Sequence, residues 1–83
     1  MGNETYKIVS PLMGTFYKAS APGGKPLVEV GQKVKSADVV CVVESMKIFT
    51  ELRADKKGTV INIFVDDEEP VMKNQELIEI EIN

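Results

Sequence analysis

The second half of this chain repeats the first, and that constrains its fold more than any single motif. Gly14-Thr15-Phe16-Tyr17 matches Gly58-Thr59-Val60-Ile61 at an offset of 44. Val28-Glu29-Val30 matches Ile63-Phe64-Val65 at an offset of 35, and the pairs Val34/Val71, Val40/Leu77 and Val43/Ile80 share an offset of 37. Turn, strand, loop, short strand, turn and strand are written twice. Eighty-three residues leave room for one small domain with a thin core. The fall in offset from 44 to 35 puts about nine extra residues in the first copy, at Ala19-Ser20-Ala21-Pro22-Gly23-Gly24-Lys25-Pro26-Leu27. Two Pro and two Gly exclude a central strand there, so this segment is read as an inserted loop.

The elements of each copy read as strands. No stretch of about 11 residues carries a 3.6-residue apolar period with caps. Short Val/Ile/Phe/Leu runs are instead divided by Gly, Pro, Asp and Asn: Ile8-Val9 before Ser10-Pro11, Thr15-Phe16-Tyr17 after Gly14, then Val39 to Val43, Thr59 to Val65 and Leu77 to Ile82. Strands this short and this frequent predict an all-β sandwich or barrel. Residues 1–5 are expected to form a flexible lead and residues 6–82 a single domain.

Val39 to Leu52 runs for 14 residues without Gly, Pro or Asn, against about 5–6 for an ordinary strand. It has to fold back. Tight hairpins prefer Asn-Gly or Asp-Gly, so propensity would not choose Met46-Lys47. The repeat chooses it, because the junction between the copies falls in Ser45-Met46-Lys47-Ile48. A turn that violates propensity at a symmetry centre is where function is sought first.

Composition narrows what that function can be. The chain has no His and one Cys, which removes His-based catalytic triads, histidine metal ligands and Cys-rich zinc sites. A net charge of −3 argues against a strongly basic nucleic-acid surface. No apolar run approaches the length of a membrane span, and the polar start is no signal peptide, so a cytoplasmic carrier or binding module is expected rather than an independent enzyme. Cys41, in a β-branched run, reads as a core residue. Asp66-Asp67-Glu68-Glu69 before Pro70 reads as a solvated turn rather than a metal site. Gly14 and Gly58 read as turn residues. Phe16 and Tyr17 alternate faces, one into the core and the other towards the inserted loop.

Lys47 is one of nine lysines, and most lysines are solvated surface charges. At a hairpin tip, however, its amine would stand clear of the sheet. A lysine amine in water is almost wholly protonated at neutral pH, so it is a slow nucleophile alone. It suits acylation by a second enzyme that brings an activated acyl group.

Four segments carry a family resemblance: Ser10-Pro11-Leu12-Met13-Gly14-Thr15-Phe16-Tyr17, Val28-Glu29-Val30-Gly31-Gln32-Lys33-Val34, Cys41-Val42-Val43-Glu44-Ser45-Met46-Lys47 and Glu51-Leu52-Arg53-Ala54-Asp55-Lys56-Lys57-Gly58-Thr59-Val60. Together they resemble the biotinyl domain of the biotin carboxyl carrier protein of bacterial or plastid acetyl-CoA carboxylase. The resemblance implies a flattened β-barrel of two four-stranded antiparallel sheets, with biotin joined as an amide to Lys47 on a hairpin opposite the chain ends. It implies that Glu44, Ser45, Met46 and Ile48 are read by a biotin protein ligase. Glu44 has two readings, a charge that discriminates between ligases or a solvated strand-end acid. The insertion at residues 19–27 corresponds to the family's thumb, for which a contact with the ureido ring of biotin is expected; the alternative is a passive loop.

The resemblance further implies a non-catalytic swinging arm. Lys47 would carry carboxybiotin from biotin carboxylase to the carboxyltransferase in fatty acid synthesis, in bacterial cytoplasm or plastid stroma. Competing readings are a lipoyl carrier and an unmodified β-barrel docking module. Departures from the family pattern are Ser45 and Ile48 in place of Ala and Met, and Ala37 and Glu68 where glycine is usual. The family's N-terminal segment and Ala/Pro-rich linker are not in the sequence, which reads as an excised domain or a minimal stand-alone version; a longer form is expected to self-associate through the N-terminal part.

Overall fold

The computed structural model describes residues 4–21 and 23–82. Eight strands follow in chain order: β1 (Thr5–Val9), β2 (Gly14–Tyr17), β3 (Lys33–Val34), β4 (Val39–Ser45), β5 (Ile48–Arg53), β6 (Gly58–Ile63), β7 (Pro70–Val71) and β8 (Glu76–Ile82). They form two four-stranded sheets with the orders β1-β8-β6-β3 and β5-β4-β2-β7, every pair antiparallel. Exchanging β1 with β5, β2 with β6, β3 with β7 and β4 with β8 turns one sheet order into the other. Each sheet therefore takes two strands from each copy of the repeat, and neither copy can fold without its twin. The all-β, two-sheet expectation is met.

The core lies between the sheets. Phe16, Val40, Cys41, Val43, Val60, Val71, Leu77, Ile78 and Ile80 are its best-buried members, joined by Ile8, Val28, Val34, Ala54 and Val65. β4 and β8, each an inner strand of its sheet, supply the most. Packing one fully buried Val, Leu or Ile stabilises by about 1.5–3 kcal/mol, so this β-branched layer is the main source of rigidity.

Backbone hydrogen bonds correct the spacing of the repeat. Gly31 N–H donates to Val60 C=O and Val60 N–H to Gln32 C=O; Glu68 N–H donates to Phe16 C=O and Phe16 N–H to Glu69 C=O. These pairs equate Phe16 with Val60 at offset 44, and Gly31-Gln32 with Glu68-Glu69 at offset 37. Val28 is thus the counterpart of Val65, both buried outside any strand, and not of Ile63. The insertion between the copies amounts to seven residues rather than nine. The strand expected at Val28-Glu29-Val30 is absent because that backbone turns through Gly31, whose φ is +94°. The strand expected from Thr59 to Val65 closes at Ile63 for the same symmetric reason.

Two further expectations change. Thr5, assigned to the flexible lead, opens β1 and pairs with Glu81, while Glu4 C=O accepts from Ile82 N–H. The rest of the expected lead, residues 1–3, lies outside the described residues. Gly14 and Gly58 are not left-handed turn residues; they open strands where the neighbouring backbone comes too close for a side chain. A Cβ on Gly14 would sit 2.4 Å from Glu44 O, and one on Gly58 would sit 2.2 Å from Glu81 O.

Candidate functional site

β4 and β5 form the longest hairpin, in register from Cys41↔Leu52 to Ser45↔Ile48, with a shift of one residue before Val39↔Arg53. Only Met46 and Lys47 lie between Ser45 and Ile48. A two-residue loop can join right-twisted strands without splaying them when both of its residues have positive φ. Met46 has φ 53° and Lys47 has φ 66°. Neither is Gly, Asn or Asp, and left-handed backbone costs an ordinary L-residue about 1–2 kcal/mol. Both positions are therefore strained, as the conflict between repeat and propensity implied.

The turn projects beyond the barrel. Lys47 is exposed, Met46 is 90 % exposed and Ile48 68 %. Among the described residues the ion pairs are Lys7–Glu76 and Glu51–Arg53, so no carboxylate holds the Lys47 ammonium group. Ser45 and Glu44 are half-buried at the strand end. The Glu44 side chain is not free in solvent: its Oε2 accepts a hydrogen bond from the Lys47 backbone N–H at 2.9 Å. Sequence reasoning missed this contact.

At the opposite end of the same strands, Ala54 N–H donates to Asp38 C=O and Asp55 N–H to Ser36 C=O. Gly58 there pairs with Ile82, and Glu81 with Thr5. The amine at position 47 and the two outermost described strand ends thus face away from each other.

The remaining predicted residues are placed as follows. The thumb, residues 19–27, leaves the end of β2 and is closed at its base by Leu27 N–H to Lys18 C=O at 2.7 Å. Lys18 N–H donates to the Asp67 carboxylate, which ties that base to the β6–β7 loop. Ala19 is buried beneath it, and Gly24 N–H returns to Ala21 C=O with Gly23 at φ +75°. Ser20, Ala21, Lys25 and Pro26 are exposed, Leu27 is half-buried, and Pro22 lies outside the described residues. These hydrogen bonds bind the thumb to its own base. Tyr17, expected to face the inserted loop, meets another partner: its ring lies against that of Phe49 of β5, with centroids 6.1 Å apart. That contact crosses the outer face of β4, where Val42 is buried although it alternates with the core residues Cys41 and Val43. Phe49 and this outer patch were not singled out by the sequence; the β4–β5 register is the signal that locates them. Among the described residues no group of three His, Cys, Asp or Glu side chains is arranged to hold a metal ion.

The barrel is thus a symmetric pair of sheets whose longest hairpin presents one lysine on a strained, exposed turn. The family model described as "Biotin-requiring enzyme" matches residues 6–80, and the chain belongs to that family. It is 46 % identical over 74 residues to the biotin carboxyl carrier protein of acetyl-CoA carboxylase of Nostoc sp., a match that covers 89 % of this chain and 41 % of that protein. It is 44 % identical over 71 residues to the protein of the same name from Pseudomonas aeruginosa, covering 86 % and 46 %. The chain spans less than half the length of these relatives. Among solved structures, the urea carboxylase of Kluyveromyces lactis superposes with a TM-score of 0.78 at 25 % identity, over 96 % of this chain and 6 % of that one. A single-chain long-chain acyl-CoA carboxylase superposes with a TM-score of 0.80 at 16 % identity, over 95 % and 7 %, and so supports the fold alone.

Proposed function

We propose that Lys47 is the biotin attachment point and that the chain acts as the biotin carboxyl carrier of an acetyl-CoA carboxylase. The observation that carries this reading is the pair of left-handed, non-glycine residues Met46 and Lys47 at the tip of β4–β5, with the amine unpaired and in solvent. The names of the relatives support the particular enzyme.

The residues present fit biotin. The amine is accessible to a biotin protein ligase, and attack on an activated biotinyl adenylate forms one C–N bond as adenylate leaves and one proton is released. Met46 and Ile48 flank the amine with exposed apolar surface, and a flexible thioether adapts to a ligase pocket. Ser45 replaces the family's alanine with a residue little larger, and Ile48 keeps an apolar side chain on the far side. Biotin, when attached, supplies a ureido nitrogen that can take and release a carboxyl group. The protein supplies the rest: a rigid barrel, a tip that reaches into two successive active sites, and an arm of roughly 14 Å made of lysine and cofactor together. The two enzymes served would be biotin carboxylase and a carboxyltransferase that passes the carboxyl group to acetyl-CoA, in fatty acid synthesis. Acylation removes the Lys47 charge, and tethering raises effective concentration at both sites. One relative is from the bacterium Pseudomonas aeruginosa and another, from Arabidopsis thaliana, is named as chloroplastic, so bacterial cytoplasm or plastid stroma is the compartment we favour.

Intact-mass measurement after co-expression with a biotin protein ligase tests the reading. One biotinyl group is expected on the wild-type chain and none on Lys47→Arg. A lipoyl mass would support the lipoyl carrier; an unchanged mass would support an unmodified docking module.

A further inference from the structure

We propose that Glu44 is a positioning residue for the acylated lysine: its carboxylate clamps the strained turn through the Lys47 backbone N–H, and it acts as a hydrogen-bond acceptor rather than as a charge presented to a partner. The inference rests on the reading of Lys47 as the acylation site and deepens it.

Four other turns of the barrel are held by side-chain acceptors, and they follow the repeat. Glu29 N–H donates to Gln32 Oε1 and Asp66 N–H to Glu69 Oε1; Lys35 N–H donates to Asp38 Oδ2 and Met72 N–H to Gln75 Oε1. In each the acceptor lies three residues after the donor, and each pair of turns is related by the offset of 37. The clamp at the tip runs the other way, with the acceptor, Glu44, three residues before the donor, Lys47. By the repeat, Glu81 is the counterpart of Glu44: the two carbonyls approach Gly14 and Gly58 in the same way. The clamp is made at the one turn, among the described residues, whose two central residues are both left-handed and both lack the usual left-handed preference. A backbone N–H inside so tight a loop has few other partners, and a side-chain oxygen three residues back supplies one. With the bond in place, the Lys47 Cα–Cβ vector is fixed relative to β4. Without it, the turn can relax and the amine no longer arrives in one orientation.

The test compares Glu44→Gln with Glu44→Ala in the full chain. Gln keeps an oxygen acceptor of the same reach and removes the charge. Two readouts are taken: hydrogen exchange of the Lys47 amide, followed by NMR on the unmodified protein, and initial rates of biotinylation by a biotin protein ligase, separated into kcat and KM for the chain. Clamping predicts that Glu44→Ala speeds Lys47 amide exchange about 5-fold and lowers kcat about 3- to 10-fold, while Glu44→Gln stays within about 2-fold of wild type in both. If Glu44→Gln is as poor a substrate as Glu44→Ala, through KM and with Lys47 exchange unchanged, the carboxylate is a charge read by the ligase and the proposal fails. If the wild-type chain accepts no biotin, the function of Lys47 fails, and the exchange data still decide whether the clamp exists.

Discussion

At the residue scale, left-handed backbone separates strain that serves the site from strain that serves nothing visible. Asn74 and Asp55 have φ 71° and 67°, which their side chains tolerate. Met46 and Lys47 carry the same strain at the tip. Glu68 carries it too, at φ 63°, as the counterpart of Gly31, and its N–H is committed to Phe16 C=O. The sequence marked Glu68 and Ala37 as departures from a usual glycine; only Glu68 proves to need positive φ. Glu68→Gly should stabilise the domain by about 1 kcal/mol, raising Tm by about 4–8 °C in a thermal melt. No rise would mean that the entropy lost by glycine offsets the strain relieved. Lys47 and Met46 were legible because they sit where the repeat must turn; the Glu44 clamp was not, since a side chain reaching back over three residues leaves no periodic trace.

At the scale of elements, the strands could be read from alternation and the loops only in part. β4, β6 and β8 announced themselves by β-branched runs. Val28 and Val65 did not, because a single buried valine in a turn looks like a fragment of strand. The hydrogen-bond symmetry gives the thumb a length of seven added residues on a base pinned by Lys18, Leu27 and Asp67. Since those anchors lie at the end of β2, deletion of residues 20–26 should leave the barrel and the tip intact. Biotinylation of Lys47 should then proceed at an unchanged rate, while the rate of carboxyl transfer in the reconstituted carboxylase changes. Equal overall turnover with and without the thumb would make it a passive loop.

At the scale of the whole molecule, one core serves both copies, and its single titratable member reports on it. Burial between the sheets pushes the Cys41 thiol up to about 12 from an ordinary 9.0. The folded state thus holds its proton where the unfolded chain has already lost it. Its contribution is complete below about pH 9 and falls progressively as the pH rises towards 12. The stability difference between wild type and Cys41→Ala, measured by denaturant unfolding, should therefore shrink from pH 8 to pH 11. Tyr6 is also raised, chiefly by burial, but it is present in both proteins and cancels. A constant difference across that range would show the thiol to be more open to water than the core packing implies.

The barrel measures 42 × 24 × 20 Å, and Thr5 and Ile82 stand at one end of the β4–β5 direction with Lys47 at the other. Anything joined to the outer strands consequently pulls from behind. The molecule behaves as a lance held by its butt: small rotations at the grip become wide excursions of the point. Because the shaft is stiff, all of that sweep is delivered to a single nitrogen atom.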